Sequence, residues 1–198
     1  MNCRRDFSDK LVHFTKANDN YEKAYRRLTK IIQDRRIIGN SKMIRGGYRC
    51  VSFTEAPLIS LRDGLVNPGN YSRYSPFGIV IEKRWIYAKG GRPVIYQTGD
   101  EFALLPEELR WRHVTYEPNR ERPIDFTWER EWRIKCDYLD IDPSYSGIIV
   151  PDSRWLQRMI AEHEEEQHFL VLEYSSVLDE DLAQQCREEF PWRISPLR

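Results

Sequence analysis

Residues 78–96 read GIVIEKRWIYAKGGRPVIY and contain the strongest β-strand signal of the chain. The first five of them, Gly78–Glu82, are rich in branched apolar side chains, which favour a strand. Gly90 and Gly91 mark a turn, and the apolar run Pro93–Tyr96 behind them predicts another strand. The middle of the chain is therefore predicted to contribute to a β-sheet.

Strands and helices are predicted on both sides of this stretch. Short apolar or alternating runs predict strands over Leu11–Phe14, Tyr48–Phe53, Trp128–Lys135, Gly147–Val150 and Phe169–Tyr174. Three- and four-residue spacing predicts a helix from Tyr21 that ends before Gly39, and further helices over 100–112, 153–166 and 179–189. Asn18 or Asp19 is suited to cap the first helix. Short strands mixed with helices, without repeats or a linker, predict one α+β domain over residues 1–198.

The composition excludes several classes of protein. Among the 198 residues, 31 Lys+Arg balance 31 Asp+Glu, which argues against a wholly basic nucleic-acid binder. Aromatic residues make up 13%, too many for a disordered chain. No apolar run reaches the roughly 20 residues that a membrane span needs, and the N-terminus lacks the apolar stretch of a signal peptide. We therefore expect a soluble, cytoplasmic protein.

The cysteines carry no pattern of a metal site or a disulfide framework. Cys3, Cys50, Cys136 and Cys186 are far apart, with no CxxC pair and no histidine at finger spacing. The sequence therefore predicts free thiols and no bound metal.

Charge is balanced overall but not locally. Residues 1–50 hold 13 Lys/Arg and 5 Asp/Glu, a balance of +8, whereas residues 151–198 hold 5 and 11, a balance of −6. The basic part is suited to the phosphates of a nucleotide or a nucleic acid. The alternative is that the two ends pair with each other on the surface.

Two of the predicted strands end in polar residues that point to a binding site. His13 and Thr15 lie at the end of one strand, and a histidine beside a threonine can bond to ribose hydroxyls. Ser52 and Thr54 end another, just before Pro57. The structural alternatives are a buried, satisfied histidine and a turn closed by hydroxyl hydrogen bonds.

The stretch WEREWR at 128–133 places two carboxylates, two indoles and two guanidiniums within six residues. Strand alternation puts Glu129 and Glu131 on one face. They are candidate catalytic carboxylates, and the alternative is a surface ladder of ion pairs with arginine stacked on tryptophan. Tyr71 and Tyr74, in the loop before the GIVIE strand, are candidates for stacking on a flat ring.

These segments, taken together and in order, resemble the bacterial AbiGi-type abortive-infection proteins of phage resistance. The resemblance rests on HFT at 13–15, the pattern IIxxxxIIG that ends at Gly39, CVSFTEAPL at 50–58, YSPFGIVIEKRWIYAKGGRPVIY at 74–96 and WEREWR. It covers roughly residues 11–135 and leaves 136–198, with their predicted acidic helix, outside the alignable part.

The pattern is also similar, more distantly, to DarT-type ADP-ribosyltransferases. That resemblance implies an ADP-ribosyltransferase-like split mixed β-sheet with flanking helices, which binds NAD in the cleft between its halves. It implies that His13 and Thr15 lie by the nicotinamide-side ribose and that Ser52 and Thr54 flank the site. Glu131, at the start of a late strand, matches the catalytic carboxylate, with Glu129 as its rival.

The resemblances lead to an expected function with two alternatives. The first expectation is a phage-defence or toxin–antitoxin enzyme that cleaves NAD and transfers ADP-ribose to a protein or nucleic acid, or hydrolyses NAD. Arg45, Arg49 or Arg73 is suited to the pyrophosphate. The second is a non-catalytic antitoxin or sensor of the same fold that binds a partner protein, such as a cognate toxin or antitoxin, through the acidic helix. The third is a nucleic-acid-binding module that uses the basic first helix.

Overall fold

The computed structural model describes residues 8–15, 20–57 and 75–197. In these ranges the strands are β1 (Lys10–Phe14), β2 (Arg36–Ile38), β3 (Cys50–Thr54), β4 (Gly78–Glu82), β5 (Arg92–Pro93), β6 (Ile95–Gln97), β7 (His113–Thr115), β8 (Glu131–Lys135), β9 (Tyr138–Asp140), β10 (Ser146–Val150) and β11 (Arg193–Pro196). The α-helices are α1 (Tyr21–Asp34), α2 (Lys83–Ala88), α3 (Ser153–Tyr174) and α4 (Glu180–Gln185). The predicted α+β class is confirmed.

Seven strands form one mixed sheet in the order β11-β10-β4-β1-β3-β8-β5. Neighbouring strands are antiparallel except for β10 and β11, which are parallel. Two smaller sheets, β2 with β9 and β6 with β7, flank this sheet near β3 and β8.

The large sheet is weakly joined at its centre. β1 and β4 pair over five positions, and so do β3 and β8. Between β1 and β3, the described residues form a single pair, Val12 with Thr54. The two strands therefore separate on one side of this pair, and the sheet consists of two well-paired blocks joined by one bridge.

The first helix covers the apolar face of the sheet. Ala24, Tyr25 and Leu28 are its buried residues. Asn20 caps it, because its side chain accepts the N–H of Lys23 at 2.8 Å. The predicted caps Asn18 and Asp19 were wrong by one or two positions.

An aromatic cluster attaches α1 and α3 to the strand block that contains β4. Phe77 precedes β4 and contacts Tyr25 and Trp155 edge-on, with ring centroids 6.1 and 4.9 Å apart. The hydroxyl of Tyr25 donates to Glu162 of α3 at 2.6 Å. These contacts fix the helices relative to the sheet.

The predicted strand Pro93–Tyr96 is divided between β5 and β6, and the helix predicted over 179–189 extends only over Glu180–Gln185. Three further predicted elements differ from the structure. The strand predicted over Phe169–Tyr174 is wrong, because these residues are the last turns of α3, whose N-terminus Asp152 caps. The helix predicted over 100–112 is two 3₁₀ segments, Asp100–Leu104 and Glu107–Arg112, which Pro106 separates.

The third difference lies in the WEREWR stretch. Trp128 and Glu129 belong to a 3₁₀ turn, and Arg130 has a left-handed backbone with φ 45°. The strand begins only at Glu131. The prediction that Glu129 and Glu131 share one strand face was therefore wrong.

None of the helices in the described residues is long and apolar enough to cross a lipid bilayer.

Candidate functional site

A cavity of about 1190 Å³ opens beside the point where β1 and β3 separate. Helix α1, strand β2, strand β7 and the turn before β8 complete its walls. Its volume exceeds the roughly 300–1,000 Å³ typical of small-molecule pockets. The wall includes seven of the residues singled out from the sequence: His13, Thr15, Arg45, Ser52, Thr54, Glu129 and Glu131.

His13 lies at the separation of the two strands. Its Nδ1 is 2.8 Å from the carbonyl oxygen of Ser52, and its ring meets Phe53 edge-on at 5.9 Å. A carbonyl oxygen only accepts, so Nδ1 is the nitrogen that carries the proton in this hydrogen bond. The imidazole is therefore fixed to the end of β3, and His13 contributes to the cavity wall.

The hydroxyls of the two threonines are used within the fold. Thr15 donates to the carbonyl oxygen of Phe77 at 3.2 Å. Thr54 donates to the carbonyl oxygen of Glu129 and accepts the N–H of Ala56 at 3.1 Å. The Thr54 hydroxyl thereby ties the end of β3 to the turn before β8, which is the structural alternative predicted for this position.

Glu131 forms a two-pronged ion pair with Arg133. Nε of the arginine lies 2.8 Å from one carboxylate oxygen, and Nη2 lies 3.1 Å from the other. Nη1 donates to the carbonyl oxygens of Trp111 and His113 at 3.0 and 2.9 Å. Because Arg133 is only 4% exposed, this network fixes the direction of the carboxylate.

The ion pair leaves Glu131 able to bind a ligand. Each carboxylate oxygen has two acceptor positions, and Arg133 uses one on each. The Glu131 side chain is 13% exposed and contributes to the cavity wall. Its carboxylate can therefore accept further hydrogen bonds from a hydroxyl in the cavity.

Tyr96 supports the backbone at the start of β8. Its hydroxyl oxygen accepts the N–H of Glu131 at 3.2 Å and donates to the carbonyl oxygen of Phe126 at 3.2 Å. Burial raises the pKa of Tyr96 to about 12, so the phenol remains a neutral donor at physiological pH. The first residue of β8 is thus held through both its backbone and its side chain.

Cations surround part of the cavity. Arg27 and Lys30 come from α1 and Arg45 from the loop before β3. Lys30 pairs with Asp34 at 3.0 Å, and Arg45 donates to the carbonyl oxygen of Gly99 at 2.6 Å. Within the described residues, Arg27 has no ion-pair partner. These side chains can attract a phosphate-bearing ligand.

The structure does not bring Arg49 to this site. Its guanidinium donates to the carbonyl oxygen of Gly39 at 3.0 Å and pairs with Asp137 at 3.1 Å, away from the cavity wall. The other three predicted binding residues, Tyr71, Arg73 and Tyr74, lie outside the described residues.

Two cavity residues were missed as site candidates. Arg133 was noted in the sequence only as a member of a charged ladder, since its contacts with Trp111 and His113 depend on distant segments. His113 is 2% exposed, with Nε2 donating to the carbonyl oxygen of Thr98 at 3.0 Å. No signal in the sequence singles it out.

No three histidine, cysteine, aspartate or glutamate side chains in the described part of the chain are grouped to hold a metal ion. The described cysteines, Cys50, Cys136 and Cys186, are free thiols. Comparison of the chain with protein-family models, with curated proteins and with solved structures finds no match.

Proposed function

We propose that the protein is an ADP-ribosyltransferase-like enzyme that cleaves the nicotinamide–ribose bond of NAD. One observation carries the proposal: His13, Ser52 and Glu131 come from three adjacent strands and meet at one cavity, where the sheet separates. The fold we propose for it is the split mixed sheet of the ADP-ribosyltransferases.

The chemistry needs a carboxylate beside the ribose. As the nicotinamide–C1′ bond breaks, its electron pair leaves with nicotinamide and positive charge develops on the ribose. Glu131 stabilises that charge and accepts a hydrogen bond from the ribose 2′-hydroxyl. A water or an acceptor then forms a bond to C1′ and releases its proton to solvent. Glu131 suits this role better than Glu129 because Arg133 fixes its carboxylate in the cavity wall.

The remaining residues hold the dinucleotide. His13 contacts a ribose on the nicotinamide side from the cavity wall, and Ser52 lies on the adjacent strand. Arg27, Lys30 and Arg45 attract the pyrophosphate from the cationic side of the cavity. NAD is a substrate here, and no step requires a metal.

The cellular role of this chemistry is proposed from the resemblance to AbiGi-type proteins. NAD cleavage or ADP-ribosylation in the cytoplasm by a phage-defence or toxin–antitoxin protein would arrest an infected cell. The acceptor is a protein, a nucleic acid or water.

Nicotinamide release from NAD by the purified protein tests the proposal. The variants are Glu131→Gln, Glu129→Gln and, as a control, Glu107→Gln, which changes an exposed carboxylate outside the cavity wall. We expect release by the wild type and a loss of about 10²–10³-fold in Glu131→Gln. Glu129→Gln and Glu107→Gln should stay within a few fold of wild type.

Two results would count against this assignment. Equal release by wild type and Glu131→Gln would remove the catalytic role of this carboxylate. No release with protein and nucleic-acid acceptors present, together with no NAD-dependent rise in melting temperature, would favour the non-catalytic antitoxin or sensor instead.

A further inference from the structure

The second half of α3 and the segment around α4 form a helical hairpin, residues 164–189, that we call the C-terminal hairpin. α4 packs against α3, and the chain behind α4 returns along α3. The backbone N–H of Glu188 donates to Gln167 at 2.8 Å, and Arg187 pairs with Glu164. Asp179 caps α4 through the N–H of Leu182 at 3.0 Å. The hairpin is therefore held together by its own hydrogen bonds and an ion pair.

This hairpin exposes large apolar side chains. Phe169 and Leu172 of α3 are 61% and 54% exposed, and Val177 in the connection is 77% exposed. Phe169 and Leu172 are three residues apart and so lie on one stripe of the helix. The buried residues of the same segment are Val171 and Ala183. The exposed side chains are therefore not among the buried side chains of the hairpin.

The hairpin is also strongly acidic. Residues 164–189 contain nine Asp/Glu and one Arg, a net charge of −8. Among the described residues, Glu164 is the only one of these nine in an ion pair. An apolar stripe surrounded by unpaired carboxylates matches a partner that is apolar and basic.

From these observations we infer that the C-terminal hairpin docks a basic amphipathic helix of another protein. Such a helix would pack its apolar side on Phe169 and Leu172, and its Lys/Arg residues would face the carboxylates. A second copy of this chain fits less well, since its cationic helix α1 exposes one large apolar residue, Tyr21. No residue of the hairpin belongs to the cavity wall, so the inference is independent of the proposed enzyme.

A fluorescent synthetic peptide tests this inference. The probe is an amphipathic helix of leucine and lysine, and its control is the same peptide with glutamate in place of lysine. Binding to the full chain is measured by fluorescence anisotropy at low and high salt. We expect the basic peptide to bind at least about tenfold more tightly than the acidic one, and to weaken as salt rises.

Matched variants locate the surface. Phe169→Ser with Leu172→Ser should weaken binding of the basic peptide by about tenfold or more. Leu104→Ser removes an even more exposed leucine elsewhere and should leave binding within twofold. Circular dichroism confirms that both variants are folded.

Three outcomes would overturn the inference. The first is equal affinity for the two peptides, and the second is unchanged binding in the double variant. The third is a dimer of the free protein in sedimentation that the double variant abolishes, because a second copy would then cover this surface.

Discussion

The imidazole of His13 bonds to the backbone of Ser52 where β1 and β3 separate, with Nδ1 2.8 Å from the carbonyl oxygen. On one side of this contact the strands pair through Val12 and Thr54. On the other side they diverge towards the cavity. A side chain thus makes the connection at the point where the backbone ladder stops, and the same residue contributes to the cavity wall.

Replacing His13 with alanine should affect both stability and activity. The change leaves the carbonyl oxygen of Ser52 without this donor, which costs about 1–3 kcal/mol if water cannot replace it. If the protein cleaves NAD, release of nicotinamide should fall by about 10- to 100-fold, because one ribose contact is lost. Urea unfolding and nicotinamide release measure the two effects.

The matched variant is His13→Asn, whose amide keeps a donor near the Ser52 carbonyl oxygen. We expect it to recover part of the stability but not the activity. Full activity in His13→Asn would show that the imidazole has no role in binding NAD, and that His13 serves only the fold.

The sheet was largely predictable because its strands have a strong local signal. β1, β3, β4, β8 and β10 all lie within the predicted runs, give or take a few residues. The short strands β2, β7, β9 and β11 were missed, since each has only three or four residues and forms through contacts with a distant partner. Phe169–Tyr174 has the composition of a strand, but the helix that Asp152 begins continues through it.

The site was predictable only in part. His13, Ser52 and Glu131 were selected from the sequence, and the register of β1, β3 and β8 brings them to one cavity. Strand alternation places Glu131 and Arg133 on one face, but the two-pronged ion pair and the burial of Arg133 against the carbonyl oxygens of Trp111 and His113 depend on distant segments and were missed. Arg49 was selected by charge alone, and its partners Gly39 and Asp137 are visible only in three dimensions.

Arg133→Lys tests whether the positive charge of Arg133 is sufficient or whether its two-pronged hydrogen bonding to Glu131 is needed. Lysine keeps the positive charge but cannot bond to both oxygens of Glu131 and to the carbonyl oxygen of Trp111 at once. We expect the turnover number for NAD cleavage to fall by about tenfold or more, with a smaller change in KM, because the carboxylate is no longer fixed.

A purely structural role of Arg133 predicts a different result. In that case Arg133→Lys would lower the urea midpoint and leave the turnover number of the folded fraction unchanged. Arg120→Lys is the control, since it alters a cavity-wall arginine that pairs with Glu117 rather than Glu131.

Gly39→Ala should destabilise the junction of β2 and β9. A Cβ at this position would lie 2.1 Å from the carbonyl oxygen of Cys136. The backbone cannot yield easily, since the N–H of Gly39 donates to Asp137 at 2.8 Å. We expect a loss of about 1–3 kcal/mol in the free energy of unfolding. Gly47→Ala, where no atom lies within 4 Å but φ is 73°, should cost about 1 kcal/mol from backbone strain alone.

The ion pair between α1 and α3 should make stability depend on pH in the acid range. Hydrogen bonds from Arg158, and then from Arg26, lower the pKa of Glu22 from 4.5 to about 2. A carboxyl group whose pKa is lower in the folded protein stabilises the fold fully at pH values above its pKa in the unfolded chain. This contribution disappears as pH falls from about 4.5 to about 2. Wild type should therefore exceed Glu22→Gln in stability at pH 7, and the difference should vanish near pH 2.

Urea unfolding at pH 7, 4.5, 3 and 2, followed by tryptophan fluorescence, measures this difference. Since Glu22 and Arg158 are both about 40% exposed, the effect should be small and should shrink further in high salt. Glu107→Gln is the control, because it removes an exposed carboxylate that has no ion pair among the described residues. A difference between wild type and Glu22→Gln that stays constant down to pH 2 would mean that Glu22 stabilises the helices by packing, not by its charge.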